Sequence, residues 1–363
     1  MRKLGISIYP DRSCKQEMLH YIDEAGKLGF RRIFSCLLSA DGPKEKVIAE
    51  FKEINTFAKE RGFEIILDVA PSTFEKLGAS YNDLTLFGEM AADGIRLDLG
   101  FRGSEEAFMT FNPQNLKIEL NMSNDTNYLD NIMDYCPNRY NLIGCHNFYP
   151  HRFTGLSLPH FKRTTSRFRK YGLVTSAFIG SKNQDTFGPW AVSEGLVTLE
   201  QHRNLPIHVQ AKHYVAMDDI DNIIISNCYP TKEEMSALGK VNLTMLNLEV
   251  GFTESAKELE RKIILDEVHF NRGDVSEYVI RSTMPRVKYK GSQFPIHNAS
   301  QKIRRGDVVI ESSEYGHYAG EVQVALKDME NSGKSNIVGR ITEEEIFLLD
   351  YIRPWQKFVF TGA

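Results

Sequence analysis

The sequence reads as an α/β protein: a (β/α)8, or TIM, barrel over residues 1–240 followed by a smaller β-rich domain over 241–363. Three observations predict this. A chain of 363 residues exceeds what one hydrophobic core ordinarily serves, so a large domain plus a small one is expected. Short β-branched runs recur through the first two thirds, each followed by a helical pattern, which is the signature of parallel strands joined by helical crossovers. Around residues 239–265 that alternation stops and shorter, Gly-, Pro- and Asn-broken strand patterns take over.

The eight runs cover residues 4–9, 32–38, 64–70, 94–99, 117–122, 142–148, 174–179 and 221–228. Their starts are mostly 23 to 33 residues apart, the length of one strand, one helix and two loops. The last interval is longer and is expected to carry inserted helices. Between the runs the apolar residues switch to helical spacing. In 15–28, Met18, Leu19, Ile22, Ala25 and Leu28 form a stripe ended by Gly29. In 44–61, Val47, Ile48, Phe51, Ile54, Phe57 and Ala58 share one face, and Gly62 stops the helix. Eight such units close into a barrel of about 240 residues. An open doubly wound sheet is the alternative, but the turn after the first run is Tyr9-Pro10-Asp11-Arg12-Ser13, and no Gly-rich phosphate turn or Walker sequence occurs. In the second domain, 277–282, 307–312 and 321–326 read as strands and 342–349 as a helix.

Composition narrows the function classes. A net charge of −4 and a pI near 6.2 give no general attraction to nucleic acid or anionic membranes. No apolar stretch approaches the ~18–20 residues needed to span a bilayer, and the amino terminus has no signal-peptide apolar region. The five cysteines are scattered, with no C-x-x-C pair, as expected of a reducing cytoplasm rather than of a disulfide framework or zinc site. No cofactor motif is present.

In a barrel of this kind, polar residues at the carboxyl ends of strands point into the site. The strand ends here are rich in them: Tyr9-Pro10-Asp11, Leu37-Leu38-Ser39, Asp68-Val69-Ala70-Pro71, Arg96-Leu97-Asp98, Glu119-Leu120-Asn121-Met122-Ser123 and His146-Asn147-Phe148-Tyr149-Pro150. Because strand side chains alternate, Arg96 and Asp98 share a face, as do Glu119, Asn121 and Ser123. Ionisable groups inside apolar strands cost several kcal/mol unless paired or functional. Asp98 and Glu119, on adjacent strands, form the leading pair for acid–base work on a glycosidic bond, with Asp11 and Asp68 in reserve. A bracing ion pair, Arg96–Asp98 or Arg96–Glu119, is the structural alternative. His146 and Asn147 suit a sugar hydroxyl or a phosphate, although a lone strand-end histidine is ordinarily a satisfied structural one. The loop 147–155, with Tyr149, mixes aromatic, amide and basic groups suited to sugar faces and anions. Arg203 and Lys212, between the last two strands, are candidate phosphate contacts. No metal-ligand spacing appears.

Seven strings together resemble the MupG-type 6-phospho-N-acetylmuramidase family, some of whose members were formerly labelled outer surface proteins. They are Gly5-Ile6-Ser7-Ile8-Tyr9-Pro10, Asp68-Val69-Ala70-Pro71, Gly94-Ile95-Arg96-Leu97-Asp98, Ile118-Glu119-Leu120-Asn121, Gly144-Cys145-His146-Asn147-Phe148-Tyr149-Pro150, Gly188-Pro189-Trp190 and Gln210-Ala211-Lys212-His213. The resemblance extends into the second domain at Arg272-Gly273-Asp274 and Phe347-Leu348-Leu349-Asp350-Tyr351. It departs at Asp11, where the family pattern leads one to expect Glu. It implies a barrel followed by a cyclophilin-like domain, and cytoplasmic hydrolysis of the β-1,4 bond of MurNAc 6-phosphate–GlcNAc in peptidoglycan recycling. The implied partner is a phosphorylated disaccharide.

Two other readings are compatible with a barrel. A phosphosugar aldolase or isomerase would need a strand-end lysine or a metal, and Lys117 sits at the wrong end of its strand. A non-catalytic carbohydrate-binding surface protein would need an export signal.

Overall fold

All eight apolar runs become strands, and in the computed structural model they pair in parallel and close on themselves in sequence order. The structure describes residues 1–38 and 43–363, so Ser39, expected at the second strand end, lies outside the described residues. The barrel strands are β1 (Lys3–Ile8), β2 (Arg32–Cys36), β3 (Glu64–Val69), β4 (Gly94–Leu97), β5 (Lys117–Asn121), β6 (Leu142–Cys145), β7 (Val174–Ile179) and β8 (Asn222–Ile225). The helices of this part are α1 (Lys15–Lys27), α2 (Lys44–Lys59), α3 (Pro71–Leu77), α4 (Thr85–Glu89), α5 (Ser104–Met109), α6 (Tyr128–Asp134), α7 (Leu158–Lys170), α8 (Ile207–Met217) and α9 (Lys232–Gly239). The long gap between β7 and β8 holds α8 and a 3-10 turn, Glu200–His202, as its length requires.

The helical stripes bury as their spacing dictates. α2 buries Val47, Phe51, Ile54 and Ala58. α1 buries Met18, Tyr21, Ile22 and Ala25, whereas Leu28, expected in the stripe, caps the helix and is exposed. Gly29 and Gly62 follow these helices at φ +87° and +80°, conformations that favour glycine.

The strand register decides what meets inside the barrel. Arg32 stands beside Glu64, Asp68 beside Arg96, and Arg96 beside Glu119. Deep in the lumen Arg32 reaches past its neighbours to pair with Glu119, with Glu64 at 3.4 Å. Phe34, two residues on and so on the same face, meets Phe178 edge-to-face at 5.2 Å, and Phe148 joins both rings.

A second compact unit comprises Val241–Ala363 with Val215–Met217. Its seven-stranded mixed sheet is formed by β9 (Leu246–Phe252), β10 (His269–Phe270), β11 (Val279–Ser282), β13 (Asp307–Glu311), β14 (Val322–Ala325), β16 (Ser335–Ile341) and β17 (Lys357–Gly362). The remaining elements are α10 (Glu258–Asp266), α11 (Met284–Lys288) and the two-stranded pair β12 (Lys302–Ile303) and β15 (Met329–Glu330). Alternating residues such as Leu246, Leu248 and Val250 of β9 and Val308 and Ile310 of β13 fill its core. The unit is β-rich, as the sequence pattern predicts, but 343–351 forms a 3-10 run rather than an α-helix.

Candidate active site

Asp68, Arg96 and Asp98 come together at the carboxyl ends of β3 and β4. Arg96 Nη1 donates to Asp68 Oδ1 at 2.6 Å and to Asp98 Oδ1 at 3.2 Å, and its Nη2 donates to Asn147 at the end of β6. One guanidinium therefore brackets two carboxylates, whose bonded oxygens lie within about 6 Å of each other. Their environments differ. Asp68 is 5% exposed, while the side chain of Asp98 is 38% exposed.

Burial raises the Asp68 carboxyl to about 6; Arg96 pulls it back, and the neighbouring charge of Asp98 pushes it up again. Burial acts against the charge on Arg96, but the attraction of Asp68 more than offsets this, so the guanidinium stays a cation. The result is one carboxyl poised near neutrality beside another that faces solvent, the division of environments that acid–base catalysis uses.

Asp98 opens onto a cleft of about 260 Å³ lined by Asn121, Asn124, Tyr128 and Arg167, with Leu97, Leu99 and Phe101 as its apolar part. Polar amides over an apolar wall suit a sugar ring. Asn121 Nδ2 donates weakly to the Asp98 carbonyl at 3.4 Å, and its Oδ1 accepts the Ser123 N–H at 3.0 Å. Ser123 Oγ accepts the Asn147 N–H at 2.8 Å, and Thr198 Oγ1 donates to the Asn147 carbonyl at 2.7 Å. Asn147 is thereby fixed from both sides to receive Arg96. Tyr149 is half-buried, and its backbone pairs with Val197.

The other candidates fall elsewhere. Glu119 is fully buried and is engaged by Arg32, so it braces the barrel floor rather than lining the mouth. The alternation that put it on the face of Asn121 is correct; depth along the strand separates the two. His146 points behind the wall, where its ring stacks on Phe161, Nε2 meets Thr165 Oγ1 at 2.9 Å and Nδ1 meets Ser123 Oγ at 3.2 Å. Burial lowers it to about 3, leaving a neutral imidazole that supports Ser123. Arg203 lines a neighbouring cleft, but its guanidinium is taken by Glu200 and by the carbonyls of Tyr149, Glu194 and Gly195. Lys212 is buried in α8, and Asp11 is exposed in the loop after β1. Lys117, at the amino end of β5, donates to Tyr140 O and Asn141 Oδ1, so it offers no Schiff base at the mouth. Tyr9, named from sequence only as part of the first strand end and given no role, is buried with its hydroxyl on Ser226 O, where burial first and the charge of Asp68 among lesser causes hold the phenol protonated.

The family model described as 6-phospho-N-acetylmuramidase, N-terminal, matches residues 4–240, and its C-terminal counterpart matches residues 246–361. The chain belongs to the 6-phospho-N-acetylmuramidase family. It is therefore a glycosidase. The crystal structure of an uncharacterized B. cereus protein is similar throughout, at 50% identity and a TM-score of 0.92, covering 99% of both chains. A conserved protein of unknown function from a locus in Enterococcus faecalis shares the fold at 24% identity and a TM-score of 0.72, over 99% of this chain and 96% of that one. No curated protein matches the chain significantly.

Proposed function

We propose that this glycosidase hydrolyses the β-1,4 bond of MurNAc 6-phosphate–GlcNAc in the cytoplasm, as a step in peptidoglycan recycling, with Asp68 as proton donor and Asp98 as the nucleophile. The observation that carries the assignment is the Arg96 bracket: two carboxylates held on one cation, one largely buried and raised to about 6, the other open to the cleft. Glu119 gives way to Asp68 in this reading because it has no exposed surface.

Asp68, protonated, gives its proton to the glycosidic oxygen as the C1–O bond breaks, and GlcNAc leaves as a free alcohol. Asp98 attacks C1 from the opposite face and forms a glycosyl ester. Asp68, now a carboxylate, takes a proton from water as that water attacks C1, releasing MurNAc 6-phosphate and restoring both groups. The bonded oxygens are at most about 6 Å apart, below the roughly 6.5–9.5 Å that an inverting water requires, which supports the retaining course. Arg96 holds both side chains in position and, with Asn147, ties β3, β4 and β6 into one constellation.

Product analysis by mass spectrometry, with proton NMR of the first anomer formed, tests the proposal. Release of two sugars with a β-configured first product is expected. Asp98→Asn should lower turnover by about three orders of magnitude or more with melting unchanged. Normal turnover in both Asp68→Asn and Asp98→Asn would remove the assignment.

A further inference from the structure

The loops after β6 and β7 build another cleft, of about 250 Å³, whose lining includes Arg152, Ser181, Lys182, Asn183, Thr186 and Asn204. In the closed strand order β7 stands four places from β3, on the far side of the mouth from Asp68. Three cations line it. Arg203 is consumed by Glu200, which it holds down to about 2, and by three carbonyls. Arg152 leans on Glu194 at 3.4 Å through Nε. Lys182 Nζ gives one proton to the Asn204 carbonyl at 3.1 Å, and an ammonium has three to give.

The turn that carries Lys182 is fixed from below. Glu234 accepts from Ser181 Oγ at 2.6 Å, from the Lys182 N–H at 3.0 Å and from the Thr231 N–H at 3.0 Å. Glu234 is thus engaged by its own donors, whereas Glu194, which also lines the cleft, is held by the Arg152 N–H at 3.0 Å and Nε at 3.4 Å, so a phosphate shares Arg152 with it. The loop bearing Arg152 is also specialised: the next residue, Phe153, sits at φ +69°, its N–H held by Glu200 Oε1 at 2.9 Å and its ring 87% exposed. A non-glycine residue in that region is strained, and strain of this kind collects at ligand-binding loops.

We propose that this cleft is the phosphate subsite, with Lys182 and Arg152 receiving the 6-phosphate of the sugar. The inference rests on the function proposed above and names the group that selects its substrate. On a pyranose, C1 and C5 flank the ring oxygen and the phosphate hangs from C6 on C5. A sugar seated with C1 at the β3–β4 carboxylates and C5 turned toward β7 presents its phosphate across the mouth. A phosphomonoester carries about −1.5 to −2 charges at neutral pH, which two cations on adjacent loops match. The same sugar carries a second anion, the lactyl carboxylate on O3, and the substrates below separate the two.

Kinetics of full-length wild type, Lys182→Gln and Arg152→Gln on three disaccharides test the subsite: MurNAc 6-phosphate–GlcNAc, its unphosphorylated form, and GlcNAc 6-phosphate–GlcNAc. Lys182→Gln should raise KM for both phosphorylated substrates about ten- to a hundredfold, leave kcat nearly unchanged, and leave the plain disaccharide unaffected. Calorimetry with inorganic phosphate should show binding to wild type that Lys182→Gln loses, a readout independent of turnover. Equal phosphate binding by both, or none by either, overturns the subsite even if hydrolysis is confirmed. An effect that follows the lactyl group instead of the phosphate overturns it as well. Failure of wild type to cleave the phosphorylated disaccharide overturns the function itself, and the phosphate titration still decides the cleft.

Discussion

Replacing Arg96 by glutamine should move the alkaline limb of the pH–rate profile upward. Asp68 acts in its protonated form, so activity falls as pH rises through its ionisation at about 6. Burial and the charge of Asp98 push that value up, and Arg96 holds it down through a 2.6 Å hydrogen bond and its full positive charge. Opposite charges about 4 Å apart in an effective dielectric of about 20 attract by about 4 kcal/mol. At about 1.4 kcal/mol per pH unit this bounds the rise at about three units. Asp68 lies at the mouth, and glutamine still offers an amide donor, so a rise of about one to two units is expected. The limb should then lie between about pH 7 and 8. The assay is kcat/KM on the phosphorylated disaccharide from pH 5 to 9. The substrate phosphate also titrates near pH 6, but identically for both enzymes, so the displacement between them is the readout. Near-UV circular dichroism confirms that the variant is folded at each pH. A limb that stays in place, or moves down, refutes Asp68 as the acid governed by Arg96.

Other consequences are equally specific. Glu119→Gln should act on stability rather than on chemistry. It leaves Arg32 with Glu64, at 3.4 Å, as its remaining carboxylate and an amide where Glu119 stood, at a cost of about 1–3 kcal/mol, seen as a lowered melting temperature with kcat per folded molecule largely kept; an inactive but fully stable variant would restore Glu119 to the site. His146, His202 and His213 are each lowered by burial, to about 3 for His146 and His213 and well below the ordinary value for His202. The unfolded chain takes up their protons first, so their contribution is complete above about pH 6.5 and is lost as pH falls from there toward about 3, by up to about 1.4 kcal/mol per pH unit for each group. Urea denaturation at pH 7.5 and 5.5 should show the difference, and equal midpoints would contradict it. Gly94→Ala places a methyl 2.5 Å from the Lys117 carbonyl and 2.5 Å from Ile66 Cδ1 in the barrel wall. It should destabilise by about 1–3 kcal/mol or more, and a melting temperature within a degree of wild type would mean that the wall yields there.

Local pattern determined much of this protein. Eight β-branched runs at regular intervals, and helices whose stripes recur at i, i+3 and i+4, dictate parallel strands with crossovers whatever surrounds them. They also place Asp68, Arg96, Asp98 and Asn147 at strand ends. Alternation correctly put Glu119 on the same face as Asn121. It is silent about depth, because a period of two repeats identically from the floor of a barrel to its mouth. Only the stagger of β2 against β5 shows that Arg32 claims Glu119, while Arg96, one strand over, turns upward to Asp68 and Asp98. His146 was misplaced for a related reason: at the end of a strand the next residue faces the outer helix, and Phe161 and Thr165 of α7 are not sequence neighbours. Arg203 and Lys182 show the same limit, since a cation reads alike in sequence whether its donors are spent on carbonyls brought in from distant loops or left facing a cleft. Identity and spacing set which groups are available; the closure of the barrel, by bringing residues dozens of positions apart within hydrogen-bond reach, decides which of them remain for chemistry.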